Sequence, residues 1–181
     1  PFEPDVFKST PLRVDFVGHP LVDEAVRAHA QPLPDLPWAG SPRIALLPGR
    51  RRHEITRILP ILLKAAVLIQ QRHPDAAFLI PYPSREAGVA VRAVLGSASH
   101  CPVRCGVVEG AARQVLRTAR AALVASGTAT LESALMRCPT VIAYRVSPLT
   151  YGLGRMLVRV PFIGIVNIIA GRRICPEFLQ Q

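Results

Sequence analysis

No apolar stretch in these 181 residues is long enough to cross a bilayer. A spanning helix needs about 20 apolar residues in a row. The longest candidate, Leu149 to Ala170, is interrupted by Arg155 and Arg159, and its uncharged part, Val160 to Gly171, is too short. The opening residues, Pro1-Phe2-Glu3-Pro4, offer neither a basic nor an apolar signal region, so no secretory signal is expected. Without one, the four cysteines (Cys101, Cys105, Cys138, Cys175) are expected to be free, mostly buried thiols in a reducing cytosol. Cys101 and Cys105 form a C-x₃-C beside His100, but no second pair stands at zinc-ribbon spacing, and no metal is expected. Aromatic residues make up 6%, and no RNA- or DNA-binding motif is present. A nucleic-acid-binding module is therefore supported by charge alone. There is also no Walker loop, no GxGxxG and no Ser-His-Asp arrangement.

What is present is apolar and arginine-rich. Half of the chain is hydrophobic, and its mean hydropathy is +0.29. Its length suits one good-sized α/β domain or slightly more. The net charge is +10, and Lys8 and Lys64 are the sole lysines among 22 basic residues. Such an excess attracts polyanions or an anionic membrane surface without choosing between them.

Apolar runs of strand length alternate with helical patterns. Strands are expected at Arg13 to Val17, Arg43 to Leu47, Ala77 to Ile80, Val103 to Val108, Ala121 to Ala125 and Thr140 to Tyr144. Helices are expected at Glu54 to His73, Ser84 to Leu95, Ala111 to Arg120, Thr128 to Met136 and Pro148 to Val158. Residues 30–42 hold four prolines and read as loop or linker. This alternation predicts an α/β fold: a Rossmann-like parallel sheet with helices on both faces. Ligands of such folds sit at the carboxyl ends of the strands.

Two turns stand at such ends. Ser126-Gly127-Thr128-Ala129-Thr130-Leu131-Glu132 follows one strand and opens a helix. Unpaired N–H groups and the positive end of the helix dipole suit a phosphate there. A plain N-cap is the other reading, because Ser and Thr are the usual capping residues. Glu132 could accept two hydrogen bonds from a ribose diol or merely complement the dipole. Pro48-Gly49-Arg50-Arg51-Arg52 follows another strand. Guanidinium forks pair with phosphate; cations at a helix start otherwise oppose its dipole. Asn167 and Arg172-Arg173 bracket the apolar stretch 168–171, either as ligand contacts or as an ordinary turn. His19, between Gly18 and Pro20, reads as a turn histidine rather than a base.

Taken in order, these pieces resemble the lipid-A-disaccharide synthase family, glycosyltransferases of Gram-negative outer-membrane assembly. The matching residues are Phe16 to Asp23, Leu46-Leu47-Pro48-Gly49 with Arg51, Glu54 and Ile55, and Ser126 to Glu132. Tyr144-Arg145, Pro148 to Tyr151, Asn167 to Arg172 and Pro176 to Gln180 complete the set, over nearly the whole chain. The resemblance implies a GT-B architecture of two Rossmann-like halves facing a cleft. It implies that residues 1–20 end the first half, 21–42 link, and 43–181 form the nucleotide-sugar-binding half, the chain being a fragment.

The activity implied is transfer of 2,3-diacylglucosamine from its UDP derivative to 2,3-diacylglucosamine 1-phosphate. The product would be a β-1,6-linked disaccharide 1-phosphate, with UDP released. The resemblance implies contacts to the nucleotide sugar from Gly49, Arg51, Ser126, Gly127, Thr128, Thr130, Glu132, Asn167 and Arg172. It implies a general base in the first half, no cofactor and no metal. It also implies a cytoplasmic protein, peripheral on the inner face of the cytoplasmic membrane, without a nucleic-acid partner; a homodimer is compatible with it. The membrane contact is expected in the tract from Leu149 to Ile169, where apolar residues are interleaved with Arg155 and Arg159; core packing is the other reading. One departure stands out: Arg50 occupies the place of the family's usual serine. A UDP-N-acetylglucosamine 2-epimerase-like isomerase is the alternative, with a similar diphosphate turn but no need of the arginine-flanked tract at 149–172.

Overall fold

The structure, a computed structural model, describes residues 7–145 and 162–179. Six strands form one parallel sheet: β1 (Arg43–Leu47), β2 (Ala77–Tyr82), β3 (Cys105–Glu109), β4 (Ala121–Ala125), β5 (Thr140–Tyr144) and β6 (Glu177–Leu179). Their order is β3-β2-β1-β4-β5-β6, all neighbours running parallel. The helices are α1 (Pro20–Ala30), α2 (Arg52–Arg72), α3 (Arg85–Ser97), α4 (Ala112–Thr118), α5 (Thr128–Leu135) and α6 (Ile165–Ala170).

Burial on both faces explains why the strands read as apolar runs. In β1, Ile44 and Leu46 join one cluster with Phe78 and Ile80. Helix α2 packs there through Ile55, Ile58, Leu59, Leu62, Leu63 and Ala66, the spacing of one helical face. The intervening residues, Ala45 and Leu47, join a second cluster with Leu79, Ala122 and Val124. Val115 and Leu116 of α4 and Ala25 and Ala28 of α1 cover that side. Side chains alternate across the pleat, so one strand feeds two cores.

The structure differs from expectation at residues 13–17 and in the burial of the thiols, and it shows a helix within the expected linker. Residues 13–17 form no strand: Phe16 is 48% exposed and Val17 94%. An isolated extended segment with no neighbour to pair has nothing to hold it as a strand. The expected linker, 21–42, begins as a helix. Pro20 sits at its first position, His19 accepts the Leu21 N–H through Nδ1 at 3.2 Å, and Asp23 lies in its first turn. Ala25 and Ala28 bury its inner side, so this helix packs with the sheet unit. The thiols are less buried than expected: Cys138 is buried, Cys105 and Cys175 are half-buried and Cys101 is exposed. Burial, with the neighbouring Cys101, pushes the Cys105 thiol up to about 12.

Helix α6 and strand β6 carry no sequence signal of their own; six and three residues are too few to show a period. The expected helix from Pro148 to Val158 lies outside the described residues. Among those described, no helix is long and apolar enough to cross a membrane.

Candidate functional site

The strand order reverses between β1 and β4: the chain leaves β1 towards β2 and leaves β4 towards β5. At such a switch point the two following turns diverge and leave a crevice beyond the carboxyl ends. Leu47 is paired with Val124, so the Gly49 turn and the Ser126 turn emerge side by side. A side-chain contact closes the gap: Arg50 Nη2 donates to Thr128 Oγ1 at 3.2 Å. The arginine in the place of the usual serine therefore ties the two turns together.

Gly49 has φ +109°, a left-handed backbone that side chains rarely adopt. A Cβ there would also lie 2.6 Å from Glu54 Oε2. That oxygen is already engaged, accepting the backbone N–H groups of Arg50 at 3.0 Å and Arg51 at 3.2 Å. Glu54 thereby holds the entry to α2, as the third residue of a capping box does. Burial alone would raise its carboxyl pKa. The Arg50 and Arg51 N–H donors, with the charges of Arg51 and His53, outweigh burial and hold it below the ordinary glutamate range. Arg51 is the N-cap of α2, its side chain 76% exposed and 3.9 Å from Glu54 Oε1.

Gly127 is the N-cap of α5, with φ +141° and open space where a Cβ would stand. Among the described residues, the backbone of Gly127 at the N-terminus of α5 is thus open to close approach. Ser126 Oγ donates to the Ile163 carbonyl at 3.1 Å, which fixes the turn against the loop before α6. Thr128 and Glu132 stand four residues apart on α5 and so share a face.

That face looks into a cleft of about 580 Å³. Gly49, Arg50, Thr128 and Glu132 line it, with Tyr82 from the end of β2. Arg113, in the first turn of α4, brings a guanidinium to Glu132 at 3.3 Å and also contacts Glu24 of α1. Helix α1 is anchored there from its other end too. Arg117 Nη1 donates to the Ala28 carbonyl at 2.6 Å and to that of Gln31 at 3.0 Å, adding a cationic donor at the carboxyl end of α1.

A family model described as Lipid-A-disaccharide synthetase matches residues 1–181. The chain belongs to the lipid-A-disaccharide synthetase family. A lipid-A-disaccharide synthase from Syntrophus aciditrophicus (strain SB) is 39% identical over 184 residues, which are 99% of this chain and 47% of that protein. One from Anaeromyxobacter sp. (strain K) is 40% identical over 187 residues, with 99% and 47% covered. The chain spans about half the length of the curated relatives it matches. Among solved structures, the S. aureus MnaA-UDP co-structure aligns with a TM-score of 0.43 at 15% identity, covering 88% of this chain and 39% of that one.

Within this lipid-A-disaccharide synthetase family member, the nine expected contact residues divide. Gly49, Thr128 and Glu132 line the cleft, and Arg51, Ser126 and Gly127 belong to the two turns beside it. Arg172 is exposed on the segment after α6. The other two are turned inward. Thr130 is fully buried, and its hydroxyl donates to the Gly127 carbonyl at 2.8 Å; it shapes the turn from behind. Asn167 is fully buried with every polar position engaged. Its Nδ2 donates to the Cys175 carbonyl at 2.8 Å and to Glu177 Oε1 at 2.7 Å, and its Oδ1 accepts from Ile174 and Cys175, both at 2.9 Å. A primary amide has two donors and two good acceptor positions, so none is left for a ligand.

Sequence reasoning misses Arg113 and Glu24. A signal for Arg113 exists: it follows Gly110 at the carboxyl end of β3, the same kind of position as the other two turns. Glu24 has none, since it falls in the stretch expected to be a linker.

Proposed function

We propose that this chain is the nucleotide-sugar-binding half of a GT-B glycosyltransferase of lipid A assembly. Its donor would be UDP-2,3-diacylglucosamine and its acceptor 2,3-diacylglucosamine 1-phosphate. The observation that carries this reading is the meeting of the two turns at the switch point, joined by Arg50 and Thr128 and open to a cleft that holds Glu132. Family membership supplies the chemistry to which that geometry is matched.

The reaction needs two things from the protein. The acceptor hydroxyl must lose its proton as it attacks the anomeric carbon, which calls for a general base. We assign that base to the other half of the enzyme. The departing diphosphate must be stabilised as its charge grows. The free N–H groups at the start of α5 and the guanidiniums of Arg50 and Arg51 suit that role. Glu132 suits the ribose diol, a carboxylate being a pure acceptor.

The first test is UDP binding by titration calorimetry. Arg51→Ala is expected to weaken it by about 1.5–3 kcal/mol, the range for hydrogen bonds to charged groups. Wild-type affinity in the variant would remove Arg51 from the site.

We further infer that the enzyme works at the inner face of the cytoplasmic membrane, since both substrates are acylated. The tract from Leu149 to Ile169 is the proposed contact, and residues 149–161 of it lie outside those described. Each arginine near an anionic surface contributes about 1 kcal/mol. Replacing Arg155 and Arg159 together by Gln is expected to reduce co-sedimentation with anionic vesicles while leaving UDP binding intact. Unchanged sedimentation with a lowered melting temperature would place that tract in the core.

A further inference from the structure

We propose that Arg113 is the positioning residue for Glu132, and that it gives the cleft its preference for ribose over deoxyribose. This rests on the UDP reading above and deepens it. A carboxylate on a helix surface samples several rotamers, and a diol rewards one direction. Here the direction is set from outside the helix. Arg113 Nη2 contacts Glu132 Oε1 at 3.3 Å, and Glu132 is 23% exposed. Among the described residues the second oxygen, Oε2, makes no hydrogen bond, which leaves it for a ligand hydroxyl.

Arg113 is itself held. The same Nη2 contacts Glu24 Oε2 on α1, and its side chain is only 33% exposed. Glu24 and Glu132 thus share one guanidinium nitrogen, Nη2 of Arg113. Without it, two carboxylates would face each other in a half-buried cleft, and like charges at that range repel. The expected response is rotation of Glu132 away from the diol. Helix α1 thereby takes part in ligand selection, although it stands outside the two turns that meet the phosphates.

The test compares UDP with 2′-deoxy-UDP by titration calorimetry on the chain and its variants. Wild type is expected to prefer UDP by about tenfold or more, the loss of one charge-assisted hydrogen bond. Arg113→Gln is expected to shrink that preference to about twofold, chiefly through weaker UDP binding, with 2′-deoxy-UDP altered less. Arg113→Lys keeps a cation between the carboxylates and should recover part of the preference. Glu24→Gln removes one of the anchors and should give an intermediate value without depending on Arg113 itself. Equal loss for both nucleotides in Arg113→Gln, or full preference retained in both it and Glu24→Gln, would overturn the proposal. If Glu132→Gln abolishes the preference while Arg113→Gln keeps it, the UDP reading stands and only the role of Arg113 falls. Wild type that binds neither nucleotide overturns both.

Discussion

Replacing Asn167 by alanine is expected to destabilise the fold by about 3–5 kcal/mol. The change removes four hydrogen bonds from a side chain with no solvent exposure. It strands the Cys175 carbonyl and the N–H groups of Ile174 and Cys175, and it takes one of two donors from Glu177 Oε1, which keeps the Gly164 N–H. Each buried group left unpaired costs about 1–3 kcal/mol, reduced where water can enter. The loss should also reach the site. Glu177 accepts from the Ile163 N–H at 3.0 Å and the Gly164 N–H at 2.9 Å, and Ser126 leans on the Ile163 carbonyl. Loosening Asn167 therefore frees the loop that holds the Ser126 turn. Asn167→Asp should do no better, because it turns a donor to Glu177 into a second carboxylate. Denaturant melts decide the matter. A normal midpoint combined with lost UDP affinity would make Asn167 a ligand residue after all.

Asn167 also shows where sequence reading stops. Its position near the end of an apolar tract is visible, and so is the family pattern around it. Whether an asparagine faces a ligand or ties a loop depends on what comes back to meet it. The partners here are Ile174, Cys175 and Glu177, next to a strand too short to announce itself. Thr130 carries the same lesson at closer range: two positions on from Thr128, it has rotated off the cleft face of α5 and into the core. By contrast, strands β1, β4 and β5 are legible almost residue for residue. Apolar runs that meet Pro or Ser at one end or both need no distant information. Helix α1 is hidden because its buried face is built from alanines, Ala25 and Ala28, which barely raise a periodic signal.

Gly49→Val is expected to remove the entry of α2 and, with it, UDP binding. Two independent effects add. A φ of +109° is strained for any side chain and worst for a β-branched one. The new Cβ would also press on Glu54, 2.6 Å from Oε2 and 2.9 Å from Glu54 Cβ. Glu54 must swing aside, releasing the N–H groups of Arg50 and Arg51. Backbone strain of about 1–3 kcal/mol and a lost cap of about 0.5–2 kcal/mol together give about 2–5 kcal/mol of destabilisation. The pH dependence identifies the cause. Glu54 is held below its ordinary range in the folded state, so its contribution is present above the unfolded pKa, about 4.3, and is lost as pH falls through the lowered folded value. Wild type should lose this increment on acidification, and Gly49→Val, having already lost it, should titrate less steeply in melts between about pH 5 and pH 3. Glu54→Gln should flatten the same part of the curve while leaving the Gly49 backbone unstrained. A Gly49→Val protein with wild-type stability, wild-type acid dependence and full UDP affinity would show that the turn neither needs glycine nor rests on Glu54.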